Sequence, residues 1–278
     1  MNQGKNMKNK YGVSLDSVKE WEKMAQAYSD KMKHPYHRHR MSVIRALIPA
    51  ELRSKNKIIF DFGCGDAALL EEFVKKGALV SGCDPSTEMV KFSRVRMASW
   101  GQDPERIILG SVAAMKKIKA ASCDAVMSFN VLAYLTDEEE REFYRQARRI
   151  LKSGGHLIVT HSNDLFDLYS CNRYTVDFLK TRLITDEKCK RIVGSLFTHP
   201  DAPEAHPLYN VRENPLAYPH KLSALGFDMV QAEYINWHAA PPLLKRQETY
   251  PDTLRVKASE KWKLMFSCST FGARAIKK

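Results

Sequence analysis

The chain of 278 residues contains no apolar run approaching the ~18 residues that a membrane-spanning helix needs, which excludes an integral helical membrane protein. Paired cysteines are missing too. Cys64, Cys83, Cys123, Cys171, Cys189 and Cys268 lie far apart, with neither a CxxC pair nor a CxxC…HxxxH spacing, so a structural zinc site is disfavoured. The basic N-terminal stretch MNQGKNMKNKYGVSLDSVKEWEK has no apolar segment behind it of the kind a secretory signal carries. A cytoplasmic protein with reduced thiols is the expectation. No internal repeat or low-complexity tract is visible. Hydrophobic residues at 44% and charged residues at 27% are ordinary globular values, which excludes wholesale disorder. The length permits one large domain or two small ones with a sizeable core.

Charge is uneven. The formal net charge is +12, with 13 basic against 5 acidic residues in 1–60, 14 against 14 in 61–160, and 17 against 13 in 161–278. The surplus sits mostly ahead of the central segment, in patches such as KNMKNK and HPYHRHR. A nucleic-acid surface would cluster Lys and Arg along one element with aromatics interleaved. Solvated ends with a few anion-facing arginines are the favoured reading, and nucleic acid is the alternative.

Periodicity then organises the chain. Val18, Trp21, Met24, Ala25 and Tyr28 predict a helix over 14–32, and a second helix is expected over 41–53. Strands are expected at Ile58–Phe60, Leu79–Cys83, Arg106–Gly110, Ala125–Phe129 and His156–Thr160. Helices are expected between them at Ala67–Lys76, Thr87–Ser99 and Asp137–Leu151. This alternation means right-handed βαβ units and a parallel sheet. Residues 161–220 lose the rhythm and read as an insertion or lid. Asp228–Trp237 and Lys263–Ile276 read as an antiparallel pair of long strands at the sheet edge.

The strongest local signal is Asp61-Phe62-Gly63-Cys64-Gly65-Asp66-Ala67, directly after a strand and directly before a helix. Glycines there let the backbone turn tightly and approach a ligand, and the helix behind offers free N–H groups. Asp84 ends the next strand, 19 residues after Gly65, where a carboxylate accepts hydrogen bonds from ribose hydroxyls. The third glycine of a dinucleotide fingerprint is replaced by Ala68, and Asp61 and Asp66 would repel a pyrophosphate. A cationic ligand suits the turn better, and the ammonium and sulfonium of S-adenosylmethionine meet that demand.

Through DFGCGDA, GCDPS, SFNVLAYL and KSGGHLIVT, residues 57–160 resemble the class I S-adenosylmethionine-dependent methyltransferase family. The resemblance implies an α/β fold with a Rossmann-like seven-stranded mixed sheet, order 3-2-1-4-5-7-6, strand 7 antiparallel. It implies an N-terminal helical cap (1–56), a cofactor-binding core (57–160), a substrate lid (161–225) between strands 5 and 6, and C-terminal strands (226–278) completing the sheet. It implies S-adenosylmethionine as cofactor. Asp61, Gly63 and Gly65 would then line the methionine and ribose end, and Asp84 would hold the ribose hydroxyls. Pro85 and Ser86 would flank the adenine, and Asn130 with Val131 would face the methionine portion. The usual acidic residue after strand three is replaced by Gly110-Ser111-Val112, so Ser111 or a backbone group would meet the adenine amino group. The segment AYSDKMKHPYHRHR is similar to helices that close over the cofactor in small-molecule members, and Tyr28 with Arg38 or Arg40 would touch its carboxylate.

For the acceptor, ligands of open α/β sheets lie beyond the carboxyl ends of the strands. His161 follows strand five and His238 follows strand six. His161 is the first choice for a base or acceptor-orienting residue, with Asn163 as its hydrogen-bonding partner and His238 as the second choice. The spacing of His34, His37 and His39 fits no standard metal site, so no metal is expected. The lid segments Asp167–Tyr174 and Tyr209–Pro215 are rich in Asn, Arg and Tyr, which favours a small polar acceptor such as a sugar or nucleotide-linked sugar. An RNA methyltransferase is the alternative, although the Asn-Pro-Pro-aromatic motif of base-directed enzymes is replaced by Asn130-Val131-Leu132-Ala133. A homodimer is compatible with the family resemblance.

Overall fold

Short runs rich in β-formers pair into one seven-stranded sheet. A computed structural model describes residues 35–170, 173–195, 211–242 and 249–278. Its strands are β1 (Ile58–Phe62), β2 (Leu79–Asp84), β3 (Ile107–Leu109), β4 (Cys123–Ser128), β5 (Leu151–Ser162), β6 (Phe227–Trp237) and β7 (Cys268–Lys277), in the order β3-β2-β1-β4-β5-β7-β6. The first five pair in parallel, while β7 runs antiparallel to both β5 and β6. This is the expected Rossmann-like mixed sheet. No helix among the described residues is long and apolar enough to cross a membrane.

Alternation along each strand divides the core. Ile59, Ala125, Met127 and Ile158 face α1 (Pro35–Leu47), against its Val43, Ile44 and Leu47. The intervening Phe60, Phe62, Val126, Leu157 and Val159 face α4 (Asp137–Ile150) and α8 (Tyr218–Ala224). The other helices in chain order are α2 (Glu71–Val74), α3 (Thr87–Ser99), α5 (Phe166–Ser170), α6 (Arg173–Phe178), α7 (Glu187–Ser195) and α9 (Leu264–Ser267).

Local chemistry explains where helices begin. Ser86 caps α3 by accepting the Met89 N–H, and Met89, Val90, Ser93 and Met97 form its buried stripe. Thr136 and Glu139 form a reciprocal capping box at α4. Four acidic residues follow in its first turn, and Arg148 and Arg149 occupy its last, both favourable against the helix dipole.

Several expectations are shifted, among them the fifth strand, which begins at Leu151 rather than His156. The helix placed at 41–53 starts at Pro35, which supplies a fixed φ suited to a first turn, and only a 3-10 turn (Ala50–Leu52) follows it. The helix expected over 67–76 is a 3-10 turn (Ala68–Leu70) and the four residues of α2. The strand expected from Lys263 begins at Cys268, because Leu264–Ser267 is helical. Asn163 donates its Nδ2 hydrogens to the carbonyls of Met265 and Cys268, at 2.6 and 2.8 Å, and so satisfies groups freed at that helix end. The helix expected over 14–32, Tyr28 included, lies outside the described residues.

The root of the segment between β5 and β6 is tied down by charge. Arg212 donates from Nε to Asp167 Oδ2 at 2.8 Å, pairs a second time through Nη2, and reaches the Asn163 carbonyl at 3.0 Å. Both side chains are buried, so removing either partner would strand a charge.

Thr136→Ala removes one half of the α4 capping box. A loss of about 1 kcal/mol is expected, seen as a fall of about 2 °C in the melting midpoint, with Thr136→Ser close to wild type.

Candidate active site

The turn after β1 is held in place by Asp84, at the end of β2. Gly65 N–H donates to Asp84 Oδ2 and Ser86 N–H to Asp84 Oδ1, both at 2.9 Å, while the N–H groups of Gly63 and Cys64 reach the Cys83 carbonyl at 2.8 and 3.1 Å. The backbone is left-handed at Gly63 (φ +71°) and Gly65 (φ +54°), as it is at Ala67 (φ +60°). A Cβ on Gly63 would collide with both methyls of Val131. Gly82 of β2 meets a similar constraint, since a Cβ there would come within 2.8 Å of the Asp61 carbonyl and 2.9 Å of Cys64 Cβ. Gly82 escaped sequence reasoning because it lies inside a strand rather than in the turn.

Asp61 is buried at the end of β1, beside Asp84. Burial, and then the Asp84 charge, push its carboxyl up to about 8. No lysine or arginine among the described residues forms an ion pair with it. The neighbouring thiols of Cys64 and Cys83 are also pushed up, chiefly by burial, and stay protonated. The carboxyl end of β1 is therefore a place where a bound cation would be favoured.

The other expected cofactor contacts are distributed around this turn. Pro85 is half-buried, and the Ser86 hydroxyl is used as the α3 cap. Ser111 precedes a 3-10 turn (Val112–Lys117), with Gly110 bonded through its N–H to the Asp84 carbonyl at 2.9 Å. Val131 packs over Gly63. Asn130, itself left-handed (φ +61°), donates its N–H to Thr160 Oγ1 at 2.8 Å. Arg38 is exposed, whereas Arg40, two residues on and facing the sheet, is buried.

Beyond the ends of β4, β5 and β7 lies a cavity lined by Arg40, Asn130, Ala133, Tyr134, Thr160, His161, Ser162 and Thr270. Side chains alternate along β5, so Thr160 and Ser162 share the α1 face with Ile158, and the His161 ring lies on the α4 face with Leu157 and Val159. There His161 Nε2 is 3.0 Å from the hydroxyls of both Tyr144 and Tyr218, which are 2.8 Å apart, and the ring stacks on Phe271. Burial, and then Lys221, hold the imidazole well below its ordinary value, so it is neutral.

Asn163 does not meet His161. Its amide is committed to Met265 and Cys268, and its Oδ1 accepts the Leu165 N–H at 3.0 Å. His238, just past β6, packs on Phe166 and Tyr250, and burial lowers its imidazole to about 4. Tyr250 meets Tyr36 edge to face, and Tyr36 contacts Arg40, so a chain of ring contacts links His238 to the helix that carries Arg40.

Behind His161 the acids Glu140 and Glu213 converge with it, their ligand atoms within 4.8 Å of one another. Lys221 Nζ already sits between the two carboxylates, 2.8 and 2.9 Å from Glu140 and bonded to Glu213. Its ammonium is the cation of that cluster. Burial and Glu140 nevertheless push Glu213 up to about 7, against the pull of Lys221.

A family model described as "Methyltransferase domain" matches residues 60–159. The ubiquinone biosynthesis O-methyltransferase of Xanthomonas axonopodis pv. citri is 28% identical over 126 residues, 45% of this chain and 52% of that protein. Its counterpart in Paracidovorax citrulli is 27% identical over 124 residues, 45% of this chain and 50% of that protein. The chain thus spans about half the length of the curated relatives it matches. Among solved structures, an S-adenosylmethionine-dependent methyltransferase from Mesorhizobium loti superposes with a TM-score of 0.54 at 16% identity, covering 86% of this chain and 98% of that one. A chain from the complex between the Haloferax volcanii Trm112 methyltransferase activator and a methyltransferase gives 0.56 at 14% identity, covering 95% and 96%. These likenesses are of fold.

Gly63→Ala places a side chain in a left-handed backbone and against Val131. A loss of at least about 2 kcal/mol is expected from the two effects together, measured by urea unfolding. Gly63→Ala combined with Val131→Ala should recover the packing part and leave the backbone part.

Proposed function

We propose that this chain, whose residues 60–159 match a methyltransferase-domain family model, is a class I S-adenosylmethionine-dependent methyltransferase that transfers the methyl group of S-adenosylmethionine to an oxygen or nitrogen of a small polar metabolite. The observation that carries the proposal is Asp61. A buried carboxyl beside a second carboxylate, at a turn with left-handed glycines, is expensive to ionise until a cation arrives. The amino group of the methionine portion supplies that cation. Asp84, at the end of β2 and bonded to the backbone of Gly65 and Ser86 on either side, holds the ribose hydroxyls.

The cofactor, when bound, supplies an electrophilic methyl group on a sulfonium. The protein's contribution is position, since an in-line displacement depends on holding the two reacting atoms in register. Asn130 stands where the turn meets the acceptor cavity, its backbone fixed by Thr160. His161 is a positioning residue, bracing Tyr144 and Tyr218 behind the cavity floor. His238, neutral at physiological pH, is the candidate to take the acceptor's proton. The polar cavity wall supports a hydroxylated metabolite, with a sugar or nucleotide-linked sugar in view.

Calorimetric titration with S-adenosylmethionine, S-adenosylhomocysteine and, as control, NAD tests the cofactor reading. Micromolar binding of both adenosyl ligands is expected, weakened at least tenfold by Asp84→Ala, a loss in line with ~1.5–3 kcal/mol for a hydrogen bond to a charged group. Binding of NAD alone, or no binding, would overturn it.

The Asp61 carboxyl also gives binding a pH dependence. Below about 8 it is protonated in the free protein, and a neighbouring ammonium favours the ionised form, so binding expels a proton. Affinity should therefore rise between pH 6 and 8, with proton release visible as a difference in heat between phosphate and Tris buffers. Asp61→Asn should flatten the rise.

A further inference from the structure

We infer that Arg40 is a reader of the acceptor, selecting a substrate that carries an oxyanion, a carboxylate or a phosphate, close to the atom that receives the methyl group. The inference rests on the methyltransferase reading and goes beyond it in naming the substrate's charge.

Arg40 is only 8% exposed, and no carboxylate among the described residues pairs with it. Its Nη2 donates to the Tyr36 hydroxyl, at 2.5 Å, and its guanidinium carbon lies 4.5 Å from the centre of the same ring. Nε is buried with no hydrogen-bond partner among the described residues. A guanidinium has five N–H donors, and leaving a buried one unmet is costly unless a ligand completes it. The surrounding wall makes the demand specific. Asn130, Tyr134, Thr160, Ser162 and Thr270 line the cavity with Arg40, and no acidic residue does. Hydroxyl and amide donors around one cation suit an oxyanion. The effect of Arg40 on its neighbourhood agrees: burial raises the Tyr36 phenol, yet Arg40, with Ser269 and Thr270 beside it, outweighs it and brings the phenol below its ordinary value.

The cofactor also carries a carboxylate, and sheet order distinguishes the two uses. The cation-seeking turn lies at the end of β1. Thr160 and Ser162 lie on β5, two strands away, and Thr270 lies on β7, three strands away. Neighbouring strands are ~4.8 Å apart, so the Arg40 end of the cavity sits roughly 10–15 Å from the turn. Tyr36 is fixed further out still, its carbonyl accepting from Asn236 of β6 at 2.9 Å. The helix that carries Arg40 is thus docked over the acceptor side of the sheet.

The test is calorimetric titration of the full chain saturated with S-adenosylhomocysteine, using 3-hydroxybenzoate, its neutral analogue 3-hydroxybenzamide, and inorganic phosphate as probes. At least one anion should bind tenfold or more tightly than the amide. Arg40→Gln should erase that preference and Arg40→Lys restore part of it, with affinity for S-adenosylhomocysteine unchanged within twofold in both. A stronger response to the benzoate assigns a carboxylate substrate, and a stronger response to phosphate assigns a phosphorylated one. Absence of any anion preference in the wild type overturns the inference. So does a tenfold loss of S-adenosylhomocysteine affinity in Arg40→Gln, which would move Arg40 to the cofactor. If the wild type does not bind S-adenosylhomocysteine at all, the methyltransferase reading fails instead, and the same anion comparison on the ligand-free chain still decides the role of Arg40. Melting curves of both variants identify a folding defect, in which case Arg40→Lys carries the comparison.

Discussion

Everything at the carboxyl end of this sheet depends on one carboxylate, that of Asp84. By accepting from Gly65 on one oxygen and Ser86 on the other, it couples the turn after β1 to the start of α3 across two strands. Neither turn is regular, and each has N–H groups that a sheet or helix does not satisfy. Asp84 answers one donor from each, while Cys83 answers two more through its carbonyl. The cost of ionising Asp61 follows from the same arrangement, because the charge that orders the turn is the charge that opposes a second one beside it.

The sheet was legible in the sequence because its strands are short, apolar and separated by helices with clear caps. Thr87–Ser99 is observed with the predicted bounds, since Ser86 and the buried Met89-Val90-Ser93-Met97 stripe are both local signals. Lys263–Ser267 misled because Leu264 and Phe266 alternate like a strand. What decides their conformation is Asn163, about a hundred residues earlier, whose amide satisfies that helix end. No periodicity argument reaches that far.

The site was legible in part, for a related reason. Asp61, Gly63, Gly65 and Asp84 announce themselves by spacing, since a turn between a strand and a helix is a local object. His161 and Asn163 were chosen for their place at the end of β5, which is where they are. Their orientation is a matter of parity along the strand and of partners brought in from α4, α8 and β7, so the ring turns away from the cavity and the amide turns toward α9. The choice between Arg38 and Arg40 was likewise invisible in the string HPYHRHR. Two residues are enough to carry a side chain from the solvent side of α1 to the sheet.

The antiparallel strand has a consequence for how this molecule assembles. Among the described strands, β6 borders only β7, and β7 borders both β5 and β6. The strand made earlier therefore has no place on the sheet until the strand made later has been laid down. Residues 227–237 must wait through some thirty residues of chain before their hydrogen-bonding edge exists, although the parallel half can already have closed over Asp84. The molecule has two seams of different age: a parallel half that is complete by the end of β5, and an antiparallel edge, with Thr270 on β7, that arrives last.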